Sequence, residues 1–255
     1  MGEFVWTGWH YLGGPYWADD MVKKFKIKGI HSCATGFIDL AGFPKDTFWL
    51  FQSRWRPDLP MAHIVPHWNW PDRVGKVTPV HVFTSGDEGE LFLNGRSLGR
   101  RKKDRSDWKK AYRLTWDDVV YEPGTLKVVT YKQGSPWAEE TICTTGPAAQ
   151  LKLEVEGGME AGSDLVFVNL EVQDADGRFV PDAAVDVTFT VKGSCELVAT
   201  DNGDEADFAS FHSPMRRTFA GRLQAIVRLK SGATGASITA ASPNLKPCEI
   251  PLRVR

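Results

Sequence analysis

From residue 80 onward the chain is written in period two, and that alternation restricts what it can fold into. Val80–Thr84, Tyr112–Trp116, Gly124–Tyr131, Gln150–Val155, Leu165–Val172, Val185–Val191, Leu223–Leu229 and Ala236–Ala241 are short runs that alternate or nearly alternate apolar and polar residues. Successive side chains of a strand point to opposite faces, so each run has one face for a core and one for solvent. Glu90–Gly99 adds two such runs around Asn94-Gly95, the dipeptide that most readily takes the positive φ angles of a tight hairpin. Many short strands at this spacing predict antiparallel sandwiches. No long helical period occurs after residue 146.

Tryptophan divides the chain. All ten tryptophans lie at or before Trp137 and seven at or before Trp70. Three segments follow: 1–66, 67–145 and 146–255. In the first, Gly2–Tyr11 reads as a buried aromatic strand followed by a Leu12-Gly13-Gly14-Pro15 turn and a loop with Trp17, Asp19 and Asp20. Pro44–Trp55 reads as a helix with Phe48, Phe51 and Trp55 on one face and prolines, Pro44 and Pro57, at its ends. One strand and one helix cannot bury their apolar faces alone.

Several function classes are excluded or left without support. Net charge is −1, with no dominant basic surface, so nucleic acid is not an expected partner. The basic run Arg100–Arg105 is either a solvated turn or an anion site, the former being the simpler expectation. No apolar stretch has the length of a membrane span. No secretory leader is recognisable, which leaves the compartment open. Phosphate-binding, dinucleotide-binding and nucleophile-elbow motifs do not occur, so no cofactor is expected. Cys33, Cys143, Cys195 and Cys248 are too widely spaced for a zinc site and read as free thiols; Cys195 and Cys248 share a segment. Asp201–Asp207 has closely spaced oxygen donors but not the full calcium-loop pattern, so a turn built on Asx side chains is the expectation and no metal is assigned.

Four motifs, in order along the chain, carry a family resemblance: Phe4-Val5-Trp6-Thr7-Gly8, Asp39–Asp46, Pro66-His67-Trp68-Asn69-Trp70 and Glu90–Gly99. Together they resemble the C-terminal part of glycoside hydrolase family 2, the β-galactosidase/β-glucuronidase type. The resemblance implies a mainly β chain: the last strand and helix of a (β/α)8 barrel over 1–66, a first sandwich over 67–145 and an immunoglobulin-like sandwich over 146–255. It implies a parent enzyme that removes terminal β-linked sugars with retention and takes a β-galactoside or a related carbohydrate; a periplasmic or secreted location would suit such a parent, and the compartment itself stays unassigned. The alternative is a carbohydrate-binding or structural accessory module.

The resemblance also assigns residues. Trp6 stands where the family places a tryptophan under its sugar subsite, and an aromatic plane suits the apolar C–H face of a sugar. Trp9, His10 and Tyr11 would lie near the same rim, and Trp6, Trp9 and His10 are the candidate substrate-binding residues. The family pattern has an aspartate where His10 stands and a glutamate where Gly14 stands, so either substrate preference has changed or selection for catalysis has been lost. Hydrolysis with retention needs two carboxyl groups about 5 Å apart. The family takes both glutamates from earlier barrel strands, and no residue here matches them; Glu3 has no such role, so no catalytic residue is assigned. The chain alone is expected to be inactive and to pack against the missing barrel, with a homo-oligomer possible. In isolation the strand Glu3–Tyr11 would lack both barrel neighbours, and it is expected to be disordered, repacked on the junction, or paired with another copy. Trp68 and Trp70 either edge the substrate cleft or form an interdomain plug.

Overall fold

The computed structural model describes residues 4–13, 32–157, 164–230 and 235–252. Glu3, Gly14, Trp17, Asp19 and Asp20 lie outside them. Among the described residues the chain is mainly β, with antiparallel sheets and one α-helix. It divides into two compact units: Met1–Phe43 together with Thr145–Arg255, and Pro44–Thr144.

The opening stretch is not the buried strand its composition suggests. Phe4, Trp6 and Trp9 are exposed, and among the described residues regular pairing of this stretch is limited to β1 (Tyr11–Leu12) with β2 (Ser32–Cys33). A parallel bridge joins Trp9 to Ile38. Apolar composition makes a strand buried only where neighbours cover both faces, and the described partners of this stretch lie in residues 32–38.

The Pro44–Thr144 unit begins with α1 (Asp46–Trp55). Two sheets follow. One contains β3 (Ala62–Val65), β4 (Val80–Thr84) and β7 (Leu114–Trp116) in the order β3-β4-β7. The other contains β5 (Glu88–Leu93), β6 (Arg96–Lys102), β8 (Thr125–Lys132) and β9 (Ser135–Cys143) in the order β6-β5-β8-β9. Alternate residues of both sheets, among them Val80, Val82, Leu91, Leu93, Leu126 and Val128, close a shared core. The β5–β6 hairpin turns at Asn94 and Gly95, with φ of 51° and 80°, as the dipeptide predicts. The Asn94 side chain ties the turn down by accepting from Thr125 N at 2.8 Å.

Two aromatic expectations need correction in this unit. On α1 the expected stripe holds only in part: Phe48 and Phe51 are half-buried, Trp55 is 62% exposed, and the fully buried residue is Ser53. Trp49 stacks on His63 of β3 at 5.0 Å. The Phe48–Phe51–Trp55 and Trp49–Ser53 stripes lie side by side on a helix, and only the position of a neighbouring sheet chooses between them. Trp68 is neither a cleft edge nor a plug. It is 1% exposed in the core of this unit, and its indole donates to Glu122 O at 3.0 Å. Trp70 instead stacks on His67 at 4.3 Å.

The second unit is built on β10 (Gln150–Val155), β11 (Leu165–Gln173), β12 (Asp186–Lys192), β13 (Cys195–Asp201), β14 (Met215–Arg217), β15 (Arg222–Leu229), β16 (Ser237–Ala241) and β17 (Cys248–Pro251). The sheet orders are β10-β11-β15-β13 and β14-β12-β16-β17. Leu151, Val168, Leu170, Leu223 and Val227 of the first sheet share a core with Val187, Phe189, Ile238 and Ala240 of the second. The four cysteines are free thiols.

Candidate functional site

The candidate sugar-binding residues sit on a backbone platform made by two short segments. Gly8 O accepts from the backbone N–H groups of Phe37 and Ile38, both at 3.0 Å, and His10 N donates to Ile38 O at 2.8 Å. Gly36 permits this approach, because a Cβ there would lie 2.2 Å from His10 N. The platform sorts the three candidates. Trp6 and Trp9 are 73% and 55% exposed, while His10 is 5% exposed. The Trp6 indole donates to the Tyr11 hydroxyl at 3.3 Å, and the two rings meet edge to face with centroids 6.1 Å apart. Trp6 thus has one edge fixed and one face free. The peptide bond between Trp6 and Thr7 is cis. Nearby, the Cys33 thiol is held below its usual pKa by hydrogen bonds with Thr35 and Tyr11, which outweigh burial.

The turn after Ile38 fastens this platform to the β-rich body of the same unit. Asp39 closes the turn on itself: its N donates to Phe43 O at 3.0 Å and its Oδ1 accepts from Phe43 N at 2.9 Å. Ala41 is fully buried. Phe43 lies under the Arg222 guanidinium at 5.5 Å, which also covers Phe179 at 4.5 Å and pairs with Glu171 at 3.4 Å. Asp39 presses against Gly203, where a Cβ would lie 2.3 Å from Oδ2, so only glycine fits. Burial raises the Asp39 carboxyl to a pKa of about 6. Asp201 pushes the same way, and the Phe43 N–H and Arg222 oppose.

Asp201–Asp207 behaves as an Asx-turn loop. Asp201 Oδ1 accepts from the N–H groups of Asn202 and Gly203, Asn202 Oδ1 from Asp204 N, and Asp204 Oδ1 from Ala206 N. Asn202 Nδ2 donates to Asp207 Oδ2 at 2.9 Å. The buried Arg216 completes the loop. It donates to Asp207 Oδ2 at 2.7 Å, Thr200 Oγ1 at 3.1 Å, Ser210 O at 2.8 Å and Ala209 O at 3.2 Å. Burial works against the Asp207 charge, but the Ala209 N–H and Arg216 together keep its pKa below the ordinary value. Among the described residues no group of three or more His, Cys, Asp or Glu side chains is arranged to hold a metal ion.

Sequence reasoning located Trp6, Trp9, His10 and Tyr11 together, but it missed the Asp39–Gly203 fastening. Both residues lay in motifs already noted. Nothing local in either motif says that they touch, because 163 positions separate them.

Comparisons with known proteins match most of the chain. Residues 150–251 match the family described as glycoside hydrolase family 2 C-terminal domain 5, and residues 75–138 match a domain of unknown function (DUF4982). The chain is 35% identical over 250 residues to beta-galactosidase BoGH2A of Bacteroides ovatus, covering 96% of this chain and 27% of that protein. It is 33% identical to a beta-glucuronidase of Formosa agariphila over 63% of this chain and 16% of that protein. A solved beta-glycosidase from Bacteroides vulgatus superposes with a TM-score of 0.84 at 29% identity, over 98% of this chain and 30% of that one. The chain spans about a quarter of the length of the first curated relatives it matches, 27% and 23%.

Proposed function

Because this chain belongs to glycoside hydrolase family 2, in its C-terminal region, we propose that it is the C-terminal portion of a retaining exo-β-glycosidase acting on terminal β-galactosides or related sugars. In this reading residues 1–66 complete the catalytic barrel, and 67–145 and 146–255 are its two sandwiches, the second immunoglobulin-like. The nucleophile and the acid/base are glutamates outside these 255 residues. The chain's part in the chemistry is to shape the sugar subsite.

The observation that carries this reading is the state of Trp6. Its edge is held by Tyr11 while its face is open, which is what stacking on the C–H face of a pyranose requires. Trp9 extends the aromatic rim. His10, beneath them, holds the platform to Ile38 through its backbone. The Asp39 turn sets the height of that platform on the β-rich body, so the second sandwich acts on substrate as a support.

The test is a chimera in which this chain replaces the corresponding region of the Bacteroides ovatus enzyme, assayed on nitrophenyl β-galactoside and β-glucuronide. The expected result is hydrolysis by the chimera and none by the chain alone. Trp6→Ala should lower kcat/KM about 10- to 100-fold, about 1.4–2.7 kcal/mol of lost stacking. A folded chimera in which Trp6→Ala changes nothing would remove the subsite assignment. Exposure of Trp6 and Trp9 also favours a second reading, a non-catalytic carbohydrate-binding module. Calorimetry of the chain with galactosides separates the two, since only a module binds sugar without the barrel.

A further inference from the structure

The basic run Arg100–Arg105 splits into two parts with different fates. Arg100 and Lys102 both pair with Glu88, at 2.8 and 3.3 Å, and Arg100 covers the Tyr131 ring at 3.8 Å. That half is the solvated, neutralised strand edge expected of it. Beyond Lys102 the chain turns into a cleft of about 690 Å³ within the Pro44–Thr144 unit. Arg54 from the end of α1, Lys103 and Arg105 after β6, and Lys132 at the end of β8 all line it.

We propose that this cleft binds a soluble oxyanion, a sulfate, phosphate or carboxylate either free or borne on a sugar, between Arg54, Lys103, Arg105 and Lys132. None of the four has a carboxylate within 4.0 Å among the described residues. Their recorded partners are uncharged. Arg54 lies over the Tyr112 ring at 4.7 Å, Lys132 lies over Trp137 at 4.3 Å and donates to Pro57 O, and Lys103 donates to Thr84 O. An ammonium has three donors, so Lys103 and Lys132 keep some for a ligand. Two carboxylates also line the cleft, each already accepting from neutral donors: Asp87 from Gln133 N at 2.9 Å, Asp104 from Ser106 N and Oγ at 2.9 and 2.6 Å. Four cations without a carboxylate partner, with Lys102 at the edge already paired with Glu88, face two engaged carboxylates and leave a positive excess in a concave site, where field lines concentrate.

Lys103 supports the same conclusion. Burial, with Arg54, Arg105 and Lys132 acting in the same direction and Asp87 opposing, lowers its pKa to about 8. Asp104 and Lys102 also border the cleft. Holding like charges together is unfavourable unless something of opposite sign occupies the space between them. An anion there would raise the Lys103 pKa, and binding would weaken as pH rises above about 8 and Lys103 discharges.

The experiment is calorimetric titration of the whole 255-residue chain with sodium sulfate, sodium phosphate and sodium glucuronate at low ionic strength, with galactose as the neutral control. Saturable binding of at least one anion and none of galactose is expected. Arg105→Gln/Lys132→Gln should weaken it at least 10-fold. Arg96→Gln/Lys127→Gln, which removes the same charge from the same unit at positions paired with Glu122 and Glu139, should leave it within 2-fold. Tighter binding of glucuronate than of sulfate or phosphate would identify a sugar-borne carboxylate as the ligand; the reverse would identify a free oxyanion. Absence of saturable binding, or equal weakening by both double variants, overturns the proposal. The test needs no glycosidase activity, so its outcome is independent of the function proposed above.

Discussion

Replacing Asp39 with asparagine should make the platform that carries Trp6 and Trp9 more stable at neutral pH. The reasoning follows from linkage. Below about pH 3.8 the carboxyl is protonated in both folded and unfolded chains and contributes no pH dependence. Between about 4 and 6 the folded state keeps a proton that the unfolded chain has lost, because burial holds the folded pKa at about 6. Stability therefore falls as pH rises through this window, the reverse of a salt-bridged carboxylate. The full shift of about two units corresponds to about 3 kcal/mol, and residual solvent contact reduces this to about 1–2 kcal/mol. Asparagine keeps the acceptor that Phe43 N requires and carries no charge toward Asp201. Hydrogen exchange of peptides spanning 36–43, corrected for intrinsic rates, measures the opening free energy of this turn. The wild-type value should decline between pH 4.5 and 7.5. The Asp39→Asn value should stay flat and exceed wild type by about 1–2 kcal/mol at pH 7.5. A variant that opens more easily than wild type at pH 7.5, or a wild-type turn with no pH dependence, would refute the reasoning.

Three further outcomes are expected. Arg216→Met should cost about 3–5 kcal/mol in urea unfolding followed through the Thr145–Arg255 region, because it strands Asp207 without its cation; Arg216→Met with Asp207→Asn should recover part of that loss. Trp68→Ala should cost about 3–5 kcal/mol, read as a lowered Tm of the Pro44–Thr144 unit, since it empties a core position and orphans Glu122 O. His63 lies between Asp46 and Glu140, each at 3.5 Å; burial opposes its charge, but the two carboxylates prevail and raise its pKa. Its stabilising effect is present below the unfolded pKa and disappears as pH rises through the folded one. The wild-type chain should accordingly lose Tm as pH rises above the ordinary histidine value of about 6.5, by an amount absent in His63→Gln.

Much of this protein could be read from local pattern. Alternation predicted β4, β8, β10, β11, β12, β15 and β16 to within one or two residues, and Asn94-Gly95 predicted its hairpin. Those signals are local because side-chain direction and turn geometry are set by the residue and its immediate neighbours. Strands lacking clean alternation, such as β9 with its mixed face over Ser135–Cys143 and the three-residue β14, were not legible.

Tertiary structure decided the rest. Whether Trp55 or Trp49 packs depends on where β3 lies, and whether Asp39 is an ordinary carboxylate depends on Gly203 and Asp201 arriving from a distant part of the chain. The same holds for Lys103, one basic residue in a run of similar ones until folding turns it toward Arg54 and Lys132. Burial and charge proximity are properties of the space around a side chain, and residues far apart in sequence determine that space. Alternation specifies the sheets; the long-range contacts set which of their polar groups are costly, and those are the groups available for function.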